Sequence, residues 1–137
     1  MTGHASIGCA MIVDDEPFDQ MMYERILKRS GLVDQVIGFQ NAVGALAHLT
    51  KPDRPIVDVI FLDINMPQMN GFEFLEAATR ELGAEFVKVC VVMLTTSIAP
   101  DDRARAASYQ VVRDFVSKPI GKEDVLHVAN LLAEVGK

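Results

Sequence analysis

The 137-residue chain has little of several features that define other classes of protein. Its two cysteines, Cys9 and Cys90, are too few for the disulfide framework of a small secreted protein and are typical of a reduced, cytosolic one. Basic residues are in deficit, with 13 Lys and Arg against 19 Asp and Glu and a formal net charge of −6, which argues against binding nucleic acid or a membrane surface. The longest apolar runs are about seven or eight residues, far too short to span a bilayer. We therefore expect a cytoplasmic protein without nucleic-acid or membrane partners.

Signals for export and for transition-metal binding are also missing. The apolar stretch at 7–13 has no basic region before it and no small-residue cleavage site after it, so it is not a signal peptide. His4, His48 and His127 lack a second ligand at metal-binding spacing, which predicts surface positions and no transition-metal site. Half of the residues are apolar and 23% are charged, the balance of one well-packed domain. We predict a single domain over 1–137, with its core at about 7–133 and no output domain.

Short apolar runs alternate along the chain with longer segments of helical period. The predicted strands are 7–13, 36–39, 56–62, 89–94 and 111–117. Helices are predicted over 17–30, 41–49 and 72–82, after Pro100, and near the C terminus, where Val125, Val128, Ala129 and Leu132 form an apolar stripe. The third and fourth apolar runs are β-branched and almost continuously apolar, as in parallel strands covered on both faces. This pattern predicts an α/β fold with one doubly wound five-stranded parallel sheet, flavodoxin-like, in the order 2-1-3-4-5. In that order Cys9 and Cys90 lie roughly 10 Å apart, too far for a disulfide.

Polar residues follow the predicted strands at the edge of the sheet where ligands bind in such folds. They are Asp14, Asp15 and Glu16 after the first strand, Asp63 after the third, Thr95 and Thr96 after the fourth, and Lys118 and Pro119 after the fifth. Crowded carboxylates repel one another unless a cation joins them, and their oxygens suit Mg²⁺. A carboxylate is a competent nucleophile toward phosphorus, and phosphoryl transfer needs mainly alignment and neutralised charge. Asp63 is therefore the candidate nucleophile, with Mg²⁺, the Thr95 hydroxyl and the Lys118 ammonium balancing the phosphoryl charge.

Four segments together resemble the receiver domains of two-component response regulators, in particular those like the chemotaxis regulators. The segments are MIVDDE at 11–16, FLDINMPQMNGFEFL at 61–75, VVMLTTS at 91–97 and FVSKP at 115–119. Each alone is weak, but their order and their places at strand ends make the resemblance strong, and it extends from residue 7 to about residue 132. It implies that Asp63 accepts a phosphoryl group from a sensor histidine kinase. The protein would catalyse its own phosphorylation and slow autodephosphorylation, and would not be an enzyme acting on another substrate.

The resemblance also implies a ligand set for Mg²⁺. Asp15 and Asp63 would bind the ion directly, Asp14 would contribute largely through water, and the backbone carbonyl of Asn65 would be a further ligand.

The same resemblance implies a switch and a phosphoryl pocket. Thr95 and Lys118 would contact the phosphoryl group, and Phe115 would be the aromatic partner of Thr95 in the switch. A cis peptide before Pro119 would direct Lys118 inward. Asn65 and Ser97 line the expected approach of water, Thr96 would crowd the phosphoryl pocket, and all three would tune the phosphoryl lifetime.

The expected partners are a sensor histidine kinase or a histidine phosphotransfer protein. The LTTS stretch at 94–97 resembles that of single-domain regulators partnered with photoreceptor kinases. With few residues after Leu132, we expect a stand-alone regulator that signals by protein contact or serves as a phosphate sink or relay. We expect a monomer, or a weak dimer through the face formed by the fourth helix, fifth strand and fifth helix. Met66, Met69 and any exposed residue among Phe18, Met22 and Tyr23 are candidate docking contacts.

The sequence departs from the family pattern before the fifth strand. Val111 stands where the family often has glycine, which removes the usual C-cap of the preceding helix. That helix is rich in alanine and arginine and poor in residues that build a core, so we predict that it is the least stable element.

Three other functions are consistent with parts of the pattern. A magnesium-dependent phosphatase of the haloacid-dehalogenase type also uses a strand-end aspartate, but its second carboxylate, the general acid, is replaced here by Asn65. A flavodoxin shares the fold, but the acidic loop after the first strand would repel the FMN phosphate. A receiver-like binding module that is never phosphorylated would not need the intact set of Asp14, Asp15, Asp63, Thr95 and Lys118.

Overall fold

The computed structural model describes residues 7–53, 56–96 and 100–135. Its strands are β1 (Ile7–Val13), β2 (Val33–Phe39), β3 (Val59–Asp63), β4 (Cys90–Thr95) and β5 (Val112–Ser117). Its helices are α1 (Pro17–Arg29), α2 (Ala42–Leu49), α3 (Gly71–Leu82), the short α4 (Ala84–Val87), α5 (Pro100–Ala107) and α6 (Lys122–Val135).

The five strands form one parallel sheet in the order β2-β1-β3-β4-β5, which confirms the predicted fold class. Helices cover both of its faces. One hydrophobic core lies between the sheet and α2, α3, α4 and α5, and a second lies between the sheet and α1 and α6. Every residue of β3 and β4 is buried, as expected for central strands with helices on both sides. Cys9 and Cys90 are both buried and are not joined in a disulfide, as predicted.

Two predicted strand boundaries are wrong by three residues. β2 begins at Val33 rather than at residue 36, because it is an edge strand that leaves Asp34 and Gln35 exposed and so lacks a continuous apolar run. β3 begins at Val59 rather than at residue 56. Ile56 is 79% exposed and lies outside the sheet despite its β-branched side chain. The other predicted strand boundaries differ from the structure by no more than one residue.

The end of α5 shows how the chain stops a helix without the expected glycine. The helix ends at Ala107, where the Ser108 hydroxyl donates to the carbonyl of Arg105 at 2.6 Å. A tight turn follows, in which the Val112 N–H donates to the Tyr109 carbonyl at 3.1 Å. Val111, at the position of the missing glycine, is buried in the first core. A side-chain hydroxyl and a buried valine therefore replace the glycine cap.

The α5 segment is also attached to α3 through side chains. The Arg105 guanidinium lies 4.3 Å from the centre of the Phe72 ring, and the Tyr109 hydroxyl donates to a Glu76 carboxylate oxygen at 3.0 Å. The Tyr109 ring in turn stacks on that of Phe72, with 6.4 Å between centroids. These contacts stabilise an element that has a single buried residue, Ala106, within the helix itself.

The predicted surface positions of the histidines are met in part. His127 is exposed, 3.4 Å from a carboxylate oxygen of Asp114. His48 is half-buried, and its ring lies 5.3 Å from that of Phe39. His4 lies outside the described residues. In the described part of the chain, no helix is both long and apolar enough to cross a membrane.

Candidate functional site

The carboxyl ends of the strands bring the predicted polar residues to one edge of the sheet. Asp14 and Asp15 follow β1, Asp63 is the last residue of β3, Thr95 is the last of β4, and Lys118 follows β5. The register places Asp63 beside Leu94 and Thr95 beside Ser117, so the ends of β3, β4 and β5 are level. Residues separated by about a hundred positions in the sequence therefore share one site.

The Lys118 ammonium is the centre of this site. Its Nζ lies 2.8 Å from Asp14 Oδ2, 3.4 Å from Asp63 Oδ1 and 3.6 Å from Asp19 Oδ2. The Lys118 side chain is 8% exposed, and those of Asp14 and Asp63 are almost fully buried. Water can therefore do little to solvate these charges, and the ion pairs replace it.

The backbone around Lys118 fixes its place. Its N–H donates to the carbonyl of Thr95 at 2.7 Å, which joins the residue after β5 to the end of β4. The Lys118–Pro119 peptide bond is cis, as predicted.

Three carboxylates form a group that fits a divalent cation. Asp14, Asp15 and Asp63 each offer an oxygen, and these oxygens all lie within 4.8 Å of one another. Asp15 is partly exposed, while the other two are buried, so the group opens to solvent on one side. Carboxylate oxygens around a solvent-accessible position suit Mg²⁺, which keeps part of its water shell.

The electrostatics of the site follow from burial and from these ion pairs. Burial raises the pKa of Asp63 from 3.8 to about 6; the Lys118 charge opposes this rise, and the Asp14 charge adds to it. Burial by itself lowers the pKa of Lys118, but the hydrogen bond with Asp14 and the charge of Asp63 outweigh it and raise the pKa to about 12. Lys118 is thus charged at every physiological pH, whereas ionised Asp63 is costly without further positive charge.

The loop after Asp63 is held tightly against the start of α3. The Ile64 N–H donates to the Leu94 carbonyl at 3.1 Å, and the Gly71 N–H donates to the Ile64 carbonyl at 2.8 Å. A Cβ on Gly71 would lie 2.8 Å from the backbone oxygen of Asp63. Asn70 caps α3 in a reciprocal pair with Glu73. The glycine thus permits the approach that positions Asp63.

The other predicted site residues differ in how exposed they are to solvent. Thr95 is buried, Asn65 and Thr96 are exposed, and Ser97 lies outside the described residues. The backbone N–H of Asn65 hydrogen-bonds to the Asp63 carboxylate. Phe115 is half-buried against the first core, with the Arg103 guanidinium 5.5 Å from its ring centre.

The candidate docking residues differ in exposure. Phe18 on α1 is 61% exposed, whereas Tyr23 on the same helix is buried and Met22 packs against the second core. Met66 and Met69 belong to the first core or pack against it.

Two residues of α1 near the site were not predicted from the sequence. Asp19 contacts Lys118 directly. Burial raises the pKa of Tyr23 to about 12, and the charge of the nearby Lys118 opposes this rise. Asp19 lies four residues after Asp15, in the first turn of the helix that follows the acidic loop. That spacing places it at the same end of the sheet, which was the available signal.

Comparison with known proteins agrees with this architecture. A sequence model described as the response regulator receiver domain matches residues 10–130. Protein PilH of Pseudomonas aeruginosa is 31% identical over 120 residues, which cover 88% of this chain and 93% of PilH. Two further relatives are longer. The chain spans 7% of hybrid signal transduction histidine kinase L of Dictyostelium discoideum and 44% of an uncharacterized response regulatory protein of Vibrio cholerae.

Solved structures share the fold over almost the whole chain. A two-component response regulator from Cytophaga hutchinsonii has a TM-score of 0.88 at 23% identity, covering 94% of this chain and 98% of that one. Chemotaxis protein CheY4 of Vibrio cholerae has a TM-score of 0.77 at 26% identity, covering 93% of this chain and 99% of that one.

Proposed function

The chain belongs to the family of response regulator receiver domains, and from that premise we propose that it accepts a phosphoryl group on Asp63 in a Mg²⁺-dependent reaction. The donor is a phosphohistidine on a sensor histidine kinase or on a histidine phosphotransfer protein. One observation carries the proposal. A buried ammonium, Lys118, contacts both Asp14 and Asp63 beside three carboxylates whose oxygens lie within 4.8 Å of one another.

The chemistry follows from the charges of these residues. An oxygen of the Asp63 carboxylate attacks phosphorus, the new O–P bond forms as the P–N bond of the donor breaks, and the imidazole leaves. Lys118 neutralises charge on the phosphoryl oxygens, and the buried Thr95 hydroxyl donates a hydrogen bond to one of them. Mg²⁺ held by these carboxylates would supply the remaining positive charge.

The metal ligands that we propose are those implied by the resemblance to receiver domains, and the group of three carboxylates supports them. Asp15 and Asp63 would bind the ion directly, Asp14 would act largely through water, and the backbone carbonyl of Asn65 would be a further ligand. Asp14 is assigned the indirect role because both of its oxygens have partners. Oδ1 accepts from the N–H of Glu16 at 2.9 Å, and Oδ2 is paired with Lys118.

We further propose that the phosphoryl group is read through Thr95 and Phe115. Movement of the Thr95 hydroxyl toward the phosphoryl group vacates space that the Phe115 ring can enter, which changes the surface formed by α5, β5 and α6. Because Phe115 has no hydroxyl, this switch works by packing alone. Asn65, Thr96 and Ser97 tune the rate at which water removes the phosphoryl group in slow autodephosphorylation.

The output is contact with another protein, or use as a phosphate sink or relay, in the cytoplasm. The α5–β5–α6 surface is the site of any weak dimer. The exposed Phe18, next to Asp19 on α1, is a candidate contact for the kinase. A photoreceptor kinase is one candidate for this partner. A phosphatase of the haloacid-dehalogenase type is disfavoured because the amide of the exposed Asn65 has no proton acidic enough to serve a leaving group.

The experiment is phosphorylation by acetyl phosphate, followed by intact-mass measurement with and without Mg²⁺. We expect one phosphoryl group on the parent protein with Mg²⁺ and none after chelation. Asp63→Asn should abolish the uptake. Asp34→Asn, the same chemical change on an exposed position of β2, should leave it unaltered. Equal uptake by Asp63→Asn and the parent would overturn the proposal.

A further inference from the structure

Lys118 has a third carboxylate neighbour, Asp19, that belongs to neither the predicted site nor the candidate metal group. Asp19 lies in the first turn of α1, 27% exposed, with its Oδ2 3.6 Å from Lys118 Nζ. An ammonium has three N–H donors, and Asp14, Asp63 and Asp19 together offer three acceptors for them. A bound cation would affect the contacts with Asp14 and Asp63 differently from the contact with Asp19.

A divalent cation and Lys118 would draw on the same two carboxylates, Asp14 and Asp63. Asp14 Oδ1 accepts the N–H of Glu16, and Oδ2 is paired with Lys118. A cation held by Asp14, Asp15 and Asp63 would repel the ammonium and weaken its contacts with Asp63, a proposed direct ligand, and with Asp14, which would hold the ion through water. The Asp19 carboxylate lies outside that group and remains available to Lys118.

We infer that Asp19 is a positioning residue, which retains the Lys118 ammonium when a cation occupies the three-carboxylate group. This inference rests on the proposed function, because it concerns the cation and the lysine of that site. Without Asp19, Asp14 and Asp63 remain as the close carboxylates of Lys118 among the described residues, and a bound cation weakens both contacts. Asp19 therefore favours cation binding by acting through Lys118, not as a ligand.

The test is a double-mutant cycle on Mg²⁺ affinity, measured by calorimetric titration of MgCl₂ at about 150 mM salt, where exposed charges are screened beyond roughly 8 Å. The four proteins are the parent, Asp19→Asn, Lys118→Met and the double variant. We expect Asp19→Asn to raise the Kd for Mg²⁺ about fivefold when Lys118 is present, the upper range for a partly exposed ion pair. In the Lys118→Met background the change should fall below about twofold. Asp34→Asn controls for the loss of one negative charge.

Equal effects of Asp19→Asn in both backgrounds would overturn the inference, because Asp19 would then act on the cation without Lys118. No effect in the parent would overturn it as well. If Lys118→Met fails to fold, the ammonium NMR signal of Lys118 gives the answer. With Mg²⁺ it should stay protected from solvent exchange in the parent and lose protection in Asp19→Asn, and equal protection in both would contradict the inference.

Failure of the inference is distinguishable from failure of the proposed function. If Asp15→Asn leaves the Mg²⁺ affinity of the parent unchanged, the cation does not bind at the three-carboxylate group and the proposed function itself fails. If Asp15→Asn weakens binding but Asp19→Asn acts independently of Lys118, only the role of Asp19 is lost.

Discussion

Replacing Asp63 by asparagine should make the metal-free protein more stable at neutral pH. Burial raises the pKa of Asp63 from 3.8 to about 6, so the folded protein binds this proton more tightly than the unfolded chain does. The resulting cost of ionised Asp63 is absent below the unfolded pKa of 3.8 and complete above about 6. At about 1.4 kcal/mol for each pKa unit, the cost near pH 7.5 is about 3 kcal/mol.

Asparagine removes the charge but retains a polar group that needs partners, so we expect a gain of about 1 to 3 kcal/mol in the free energy of unfolding. The assay is urea unfolding of Asp63→Asn and of the parent, without metal, near pH 7.5 and pH 5. Because Asp63 is largely protonated in the folded protein near pH 5, the advantage of the variant should fall there to about half.

Magnesium should reduce the difference in the free energy of unfolding between Asp63→Asn and the parent. A hundredfold excess over Kd stabilises the protein that binds the ion by about 2.7 kcal/mol, and Asp63→Asn lacks one ligand. The matched variant Asp34→Asn should change stability by no more than about 0.5 kcal/mol at either pH. A variant at position 63 that is no more stable than the parent near pH 7.5, or whose advantage does not vary with pH, would refute the reasoning.

Three further predictions concern the surroundings of the site. In denaturant titrations, Gly71→Ala should lower the free energy of unfolding by about 1 to 3 kcal/mol, because its Cβ would meet the backbone oxygen of Asp63 at 2.8 Å. The matched Gly121→Ala should lower it by less, because the nearest atom to its Cβ would be 4.0 Å away. Tyr109→Phe should lower the free energy of unfolding by about 0.5 to 1.5 kcal/mol, because it loses the hydrogen bond to Glu76. Hydrogen exchange should then show faster opening of α5, and unchanged exchange would mean that this bond does not hold the helix. Amide NMR spectra should sharpen and disperse on adding Mg²⁺, since the ion offsets carboxylate repulsion in the folded state only; identical, fully dispersed spectra with and without Mg²⁺ would contradict this.

The central strands were predictable because a strand that is buried on both faces consists of consecutive apolar residues. β3 and β4 are buried at every position, and their ends carry Asp63 and Thr95, so the fold and the site could be read together. β2 was less predictable because an edge strand keeps polar residues such as Gln35 in its ladder. The short α4 was missed because four residues are too few to show a helical period.

The site itself was predictable only where residues follow a strand directly. Asp14 and Lys118 do so and Asp63 ends β3, and topology alone brings such residues to one edge of the sheet. Asp19 could not be assigned in this way, because its contact with Lys118 depends on how α1 packs and on the orientation of two side chains. The anchoring of α5 by Arg105 and Tyr109 is equally a product of packing against α3, which a composition poor in large apolar residues did not indicate.

The most direct measurement of the central claim is the identity of the phosphorylated residue. Borohydride reduces an aspartyl phosphate to homoserine, which peptide mass spectrometry locates in the sequence. After treatment with acetyl phosphate and Mg²⁺, we predict conversion at position 63 alone, and none when Mg²⁺ is chelated. Homoserine at Asp14, Asp15 or any other carboxylate, or conversion at Asp63 that is independent of Mg²⁺, would contradict the account.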